Sequence, residues 1–271
     1  MSNISVLGET LLSFIKPYFP EFVENFCPGI SRFTIQSSLI GLDQALPGDF
    51  YQLYEWKNGT PDCFPQLFNS GDILEFSPIE LVLEEMKWNL YVKYGDVPPT
   101  YKGCCLLPFI KIDSDAVVVA LGRTYPEEAH IVYVDEVGEC HLYCDSITSM
   151  MTSTVECFAA GSVTISNEGD IQEDYHLSSE IWRRNNPHTL AEAILELTSS
   201  INICTSEEPV MDREYSIALD SLTSALATLR RFRPPEVIKL IQSNLVQLKK
   251  VNIARGGGLH LSLNEWLRAV E

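Results

Sequence analysis

The sequence predicts an α+β protein: a largely antiparallel sheet packed by helices, followed by a small α-helical C-terminal bundle. Three observations predict it. Residues 101–143 hold short apolar or alternating runs separated by turn residues, the pattern of a meander. Within them, Ala116-Val117-Val118-Val119-Ala120-Leu121 is apolar throughout, as an inner strand covered on both faces should be. Beyond residue 187 the spacing turns helical, with Tyr215, Leu219, Leu222, Leu226 and Leu229 stepping by four and three. Strands grouped apart from helices give α+β rather than alternating α/β.

The elements follow in order. Leu11, Leu12, Ile15, Phe19, Phe22 and Phe26 have helical spacing, and Pro17 and Pro20 divide them into two short helices. Residues 30–42 predict a further helix that brings Leu39, Leu42 and Leu46 onto one face. Pro47 suits the first position of the next helix, because its missing N–H has no helical partner there. Asp49 adds negative charge at the positive end of the helix dipole. Phe50, Leu53 and Tyr54 share a face, and Asn58-Gly59 end the helix because both tolerate left-handed backbone. Residues 64–68 are apolar and extended in character. Residues 73–76 read as a short strand, and Ser77-Pro78-Ile79-Glu80 opens a helix by a capping-box pattern. Strands are expected at 106–112, 116–121, 130–134 and 139–143, with turns at 124–128 and 135–138. Asp145 is expected to cap a helix containing Met150, Met151, Val155 and Phe158. Residues 161–187 are polar and acidic, with one strand at 162–165. Thr189-Leu190-Ala191-Glu192 forms a capping-box pattern before an apolar run, 212–232 is amphipathic, and Pro234-Pro235 starts another helix. Gly256-Gly257-Gly258 stops that helix, and Ser262 to Glu265 precedes a last turn with Trp266.

Composition bounds the function. The chain has 271 residues, 45% hydrophobic and 21% charged, as a globular protein has. No apolar stretch reaches bilayer length. The opening Met1-Ser2-Asn3-Ile4-Ser5 shows no basic region followed by an apolar core, so the expected location is the cytoplasm. Eight cysteines in such a chain are expected to be reduced and buried. Cys140-His141-Leu142-Tyr143-Cys144 resembles a metal motif. On a strand, however, the two cysteines would share one face about 13 Å apart and His141 would take the other. No metal and no cofactor are therefore expected.

Charge is uneven. Residues 1–186 hold 10 Lys+Arg against 27 Asp+Glu, a net of −17, whereas residues 187–271 hold 9 against 10, a net of −1. Such an excess repels phosphate backbones and steers basic partners, so neither nucleic acid nor a membrane is an expected partner. It also keeps a protein in solution, which is the blander account of the same charge. The sequence contains no Gly-x-Ser-x-Gly, His-Glu-x-x-His, phosphate loop or dinucleotide fingerprint, and the five histidines are scattered. No catalytic residues are assigned.

The ordered set Leu46-Pro47-Gly48-Asp49-Phe50, Tyr54 and Asn58-Gly59, with Leu107-Pro108-Phe109 opening the sheet and 145–151 closing it, resembles the SUKH superfamily of Smi/Knr-type cell-wall assembly regulators. The resemblance covers a SUKH-like α+β domain (29–160); an N-terminal helical extension (1–28), an acidic connector (161–186) and a helical C-terminal region (187–271) are read beside it, and the two helical parts depart from the simplest family members. It also implies a binding module rather than an enzyme. Bacterial members resemble immunity proteins that hold a cognate toxin, often a nuclease; fungal members resemble regulatory scaffolds of cell-wall synthesis or signalling. An acidic domain fits the first by presenting carboxylates to a basic toxin domain. A regulatory scaffold, and an enzyme with an unrecognised site, stay open as alternatives. The expected binding residues are Asp113, Asp115, Glu127, Glu128, Asp135 and Glu136, with Tyr54 and Trp56 as central anchors. For Tyr54, Trp56, Asn58 and Gly59, core packing and helix capping are sufficient roles on their own.

Overall fold

Proline sets the first break in the chain. The computed structural model describes residues 3–42, 44–60, 75–82, 84, 104–112, 115–122, 131–135, 140–166, 168–205 and 212–254. In it α1 is Ile4–Ile15 and α2 is Pro20–Glu24, with Pro20 in the first turn of α2. Asn3 caps α1, its side chain accepting the Ser5 N–H at 2.9 Å. The helix expected over 30–42 is shorter. α3 is Arg32–Ser38, capped by Ser31, whose hydroxyl accepts the Thr34 N–H at 3.2 Å. Leu39 has left helical geometry and Gly41 has a φ of +103°. Leu42 and Leu46 therefore reach the core from a loop, not from a helical face.

α4 is Gly48–Trp56, so Pro47 stands at the N-cap, one position before the one expected. Asp49 is in the first turn, and its Oδ2 reaches 99 residues along the chain to accept the Thr148 N–H at 3.2 Å. The helix ends in extended backbone at Lys57, which pairs with Pro28. Asn58-Gly59 thus do not close its last turn. Gly59 does adopt positive φ, +99°. Asn58 serves the helical residues 79–82 instead: Oδ1 accepts the Ile79 N–H at 2.9 Å and Nδ2 donates to Glu80 Oε2 at 3.1 Å.

The sheet is an antiparallel meander in chain order: β1 (Glu75–Phe76), β2 (Cys105–Ile112), β3 (Asp115–Leu121), β4 (Ile131–Val134) and β5 (Cys140–Cys144). The apolar β3 lies between β2 and β4, as its composition requires. Pro108 is accommodated by a register shift in β2, the place where a strand tolerates a residue that cannot donate. Leu107, Phe109, Val117, Val119 and Tyr143 face the main core with residues of α1 and α4. Leu106, Ala116, Val118, Ala120, Val132 and Leu142 form a cluster on the opposite face.

A second irregularity alters the cysteine reading. Val132 pairs with Leu142 but Ile131 pairs with Cys144, so Tyr143 is an extra residue in β5. A bulge of this kind shifts the alternation by one. Cys144 consequently joins the main core while Cys140 stays with the opposite cluster. The two sulfurs do not share a face.

After β5 comes α5, Ile147–Ala160. Its cap is Ser146, not Asp145: Ser146 Oγ accepts the Ser149 N–H at 3.0 Å and Ser149 Oγ accepts the Ser146 N–H at 2.9 Å. The acidic stretch that follows contains a hairpin, β6 (Val163–Ile165) and β7 (Ile171–Glu173), and a helix the sequence reading did not foresee, α6 (Tyr175–Asn185). Asp174 caps α6, and Ile181 and Trp182 bury its inner face in the main core.

The remaining helices are α7 (Pro187–Cys204), α8 (Asp212–Phe232) and α9 (Pro235–Ala254). Their shared apolar cluster includes Ala193, Leu197, Ile201, Leu222, Leu229 and Ile241. Pro187 opens α7, so Thr189 is inside the first turn and its capping-box pattern is not used. The acceptor there is Asp145: Oδ2 takes the His188 N–H at 3.2 Å, and Oδ1 takes the Thr189 N–H and hydroxyl, each at 2.7 Å. Among the described residues, no helix is long and apolar enough to cross a membrane. The expected strand character at 64–68, the helix beyond residue 84, the turn at 124–128, Cys63, the glycine stop at 256–258 and the final turn with Trp266 lie outside the described residues.

Candidate functional site at the acidic end of the sheet

The meander register places four polar side chains together. Val117 pairs with Tyr133, and Tyr133 with His141, so these three share a face. Asp115 opens β3 and Asp135 follows β4, flanking the Ala116–Val134 pair at the same end of the sheet. The Tyr133 hydroxyl donates to Asp115 Oδ2. His141 Nε2 lies 3.7 Å from Asp135 Oδ2, with the two side chains 12% and 24% exposed. The Tyr133 and His141 rings stack at 6.3 Å and 23°. Two partly exposed carboxylates are thus held by an aromatic–imidazole pair. Side chains fixed in this way lose less rotamer freedom when a cationic group docks on them.

Of the other expected binding residues, Asp113, Glu127, Glu128 and Glu136 lie outside the described residues. Tyr54 and Trp56 are buried in the main core. Tyr54 is 0% exposed, and its hydroxyl donates to the Ser77 carbonyl at 2.9 Å. Trp56 is 7% exposed; its Nε1 donates to Glu9 Oε1 at 2.9 Å and its ring lies against Gly8. Their burial satisfies the packing role that an aromatic in α4 can fill unaided. Leu46, Pro47, Asp49, Phe50, Asn58 and Gly59 join α4 to α5 and to residues 77–80, which makes that run a structural corner.

Tyr133 and His141 are the members that sequence reasoning did not select. The signal for them is the hairpin register, which sets residue 133 opposite 141. Beside this group, the Cys140 thiol is pushed up to about 12, first by burial and then by the charge of Asp135. Burial likewise raises Cys105, Cys157 and Cys204, and Cys144 well above the usual thiol value. A thiol held neutral is a poor nucleophile and a poor metal ligand. Among the described residues, no group of three or more His, Cys, Asp or Glu side chains could hold a metal ion.

No protein-family model matches the chain, and no curated protein matches it.

Proposed function

We propose that this chain is a non-enzymatic, cytoplasmic protein-binding module of SUKH type that binds and neutralises a basic protein, as an immunity protein holds a cognate nuclease toxin. The observation that supports this most is electrostatic. Residues 1–186 carry a net of −17, and Asp115 and Asp135 stand side by side at one sheet end with their orientations held by Tyr133 and His141. A field of that sign speeds the encounter with a basic surface, and fixed carboxylates then pair with its Lys and Arg side chains. The ordered run from Leu46 to Gly59 and its resemblance to SUKH sequences support the family assignment. The same charge disfavours direct contact with nucleic acid or anionic lipid. A regulatory scaffold is the second reading, favoured by a C-terminal region with an apolar cluster of its own.

The test is to capture the partner with the full chain, identify it by mass spectrometry and measure association rates over a salt series. The wild type should associate more slowly as salt rises, and Asp115→Asn with Asp135→Asn should lower the rate at low salt and lessen that dependence. Equal rates for both proteins at every ionic strength would leave the acidic surface with solubility as its only role. A partner bound through residues 187–271 would favour the scaffold.

A further inference from the structure

The corner where α4 runs out against residues 75–80 holds the single Asn-Gly sequence of the chain, Asn58-Gly59. Such a pair is open to one covalent change. The Gly59 nitrogen attacks the Asn58 side-chain carbon Cγ, since glycine has no Cβ to shield that nitrogen. Ammonia leaves and a succinimide ring forms. Water then opens the ring at either carbonyl, which gives an aspartate or an isoaspartate at position 58. One ammonia is lost and one water taken up, with no oxidant or reductant, and a neutral amide becomes a carboxylate.

The fold restrains this reaction. Asn58 Oδ1 accepts the Ile79 N–H at 2.9 Å, and Nδ2 donates to Glu80 Oε2 at 3.1 Å and Oε1 at 3.4 Å. Ring closure needs an eclipsed Cα–Cβ torsion, so the side chain must first leave both partners. Glu80 is exposed, and water competes for its bond, so the hold is one that local opening releases. The same contacts make either product a poor fit. A carboxylate puts an oxygen where Nδ2 stood, and two anions then meet where a donor met an acceptor. The isoaspartate also lengthens the main chain by one carbon between the N–H of residue 58 and the Gly59 carbonyl. Those two groups make paired bonds with Cys27: the Asn58 N–H donates to its carbonyl at 3.2 Å, and its N–H donates to the Gly59 carbonyl at 3.3 Å. The longer chain cannot keep both.

We propose that Asn58 is a deamidation site restrained by its bonds to Ile79 and Glu80, and that conversion keeps the corner from closing again because the product repels Glu80. The change runs one way, since water does not restore the amide. Its reach follows from what the corner holds. Phe26, beside Cys27, packs on Phe22 and Trp56 with ring centroids 5.0 and 5.8 Å away. The Tyr54 hydroxyl bonds the Ser77 carbonyl on the same side. None of this depends on a binding partner.

The experiment uses the full chain as wild type, Glu80→Ala, Glu80→Gln, Asn58→Asp, and Asn58→Asp with Glu80→Gln. The first three are held at mildly alkaline pH with and without urea, and conversion at residue 58 is followed by peptide mass spectrometry. Folded wild type should convert slowly. Folded Glu80→Ala should convert about fivefold faster, the effect of losing one hydrogen bond, and at the wild-type rate in urea. Glu80→Gln keeps an accepting oxygen and should stay close to wild type. Thermal melts of the other two proteins read the consequence. Asn58→Asp should melt about 2–4 °C below wild type, and Glu80→Gln in that background should recover most of the loss. Equal folded rates for wild type and Glu80→Ala would overturn the proposal, as would a Glu80→Gln protein that converts as fast as Glu80→Ala. So would the absence of conversion at residue 58 in both folded wild type and folded Glu80→Ala, or an Asn58→Asp protein that melts as wild type.

Discussion

Asp145 and Thr189 lie 44 residues apart in the chain and meet twice through one carboxylate oxygen, which accepts both the Thr189 N–H and its hydroxyl at 2.7 Å. Asp145 closes the sheet side of the molecule and Thr189 is in the first turn of α7, so this contact fixes where the C-terminal helices begin. A carboxylate in that place also faces the positive end of the α7 dipole.

Asp145→Ala removes the acceptor from three donors at once, one of them on His188. The expected loss is about 3 kcal/mol, since bonds to a buried carboxylate and a helix cap are both removed. Thr189→Val keeps the shape and loses only the hydroxyl bond, so about 1 kcal/mol should go. Urea denaturation of the two variants checks the ratio. Equal losses would mean that the backbone contacts contribute nothing.

Gly59 combines a φ of +99° with close packing: a Cβ there would sit 2.8 Å from Pro78 Cγ and 2.9 Å from its backbone nitrogen. Gly41 has a similar φ, +103°, but open space around it. The pair separates the two effects. Gly41→Ala should cost about 1 kcal/mol for the backbone conformation alone, and Gly59→Ala clearly more because Pro78 must also move. Thermal melts that rank the two in the reverse order would show that the Pro78 contact yields freely.

What was legible in the sequence is what local pattern decides. The α8 boundaries at Asp212 and Phe232 match the amphipathic spacing, and the unbroken apolar run of β3 places it inside the sheet. Non-local choices were not legible. Both Asp145 and Ser146 can cap a helix; Ser146 caps α5 because Ser149 reciprocates, which leaves Asp145 for α7. The bulge at Tyr143 follows from pairing with β4 and has no signature in Cys-His-Leu-Tyr-Cys itself. α6 escaped notice because its buried face holds only Ile181 and Trp182 among large apolar residues, the rest being Ser178 and Ser179. Asp174, whose carboxylate accepts from His176 and Leu177, was the available signal. At the candidate site, the carboxylates were visible as turn residues, but Tyr133 and His141 acquire their place only through register.

The buried thiols give an alkaline prediction with a definite sign. Cys140 rises to about 12 and Cys204 to about 11 from an ordinary value of 9.0, so between those limits the folded protein keeps protons that the unfolded chain releases. The stability these thiols contribute is complete below pH 9 and is lost as pH rises through 11 and 12. Chemical denaturation at pH 8, 9.5 and 10.5 should show a falling midpoint, and Cys140→Ala should reduce the slope. An unchanged slope would mean that Cys140 is open to water in solution.

Arg231 supplies a further handle, because its guanidinium lies 3.8 Å from the Tyr143 ring centroid and 4.6 Å from that of Trp182. Arg231→Lys keeps the charge but not the flat face that stacks on both rings. A loss of about 1 kcal/mol is expected, with a shift in tryptophan emission as Trp182 gains water. Unaltered emission and an unaltered denaturation midpoint would show that the stacking adds nothing to the stability of the fold.

The last prediction separates core from contact surface at Tyr54. Its ring packs against Phe50 and Phe76 at 4.8 and 5.0 Å between centroids, and its hydroxyl bonds the Ser77 carbonyl, at the point where the chain enters helical residues 79–82. Tyr54→Phe keeps the packing and leaves the buried carbonyl to find another donor, so stability should fall by about 1–2 kcal/mol. Because the side chain is wholly buried, the substitution should leave the partner's association rate and its salt dependence at wild-type values below the new melting point. Asp115→Asn with Asp135→Asn should do the converse, changing association more than the melt, since each amide keeps an oxygen that can accept the bond its carboxylate accepted while losing the charge. Stopped-flow association and thermal melts on the same preparations read both quantities. A Tyr54→Phe protein that melts as wild type but binds more slowly would return Tyr54 to the binding surface.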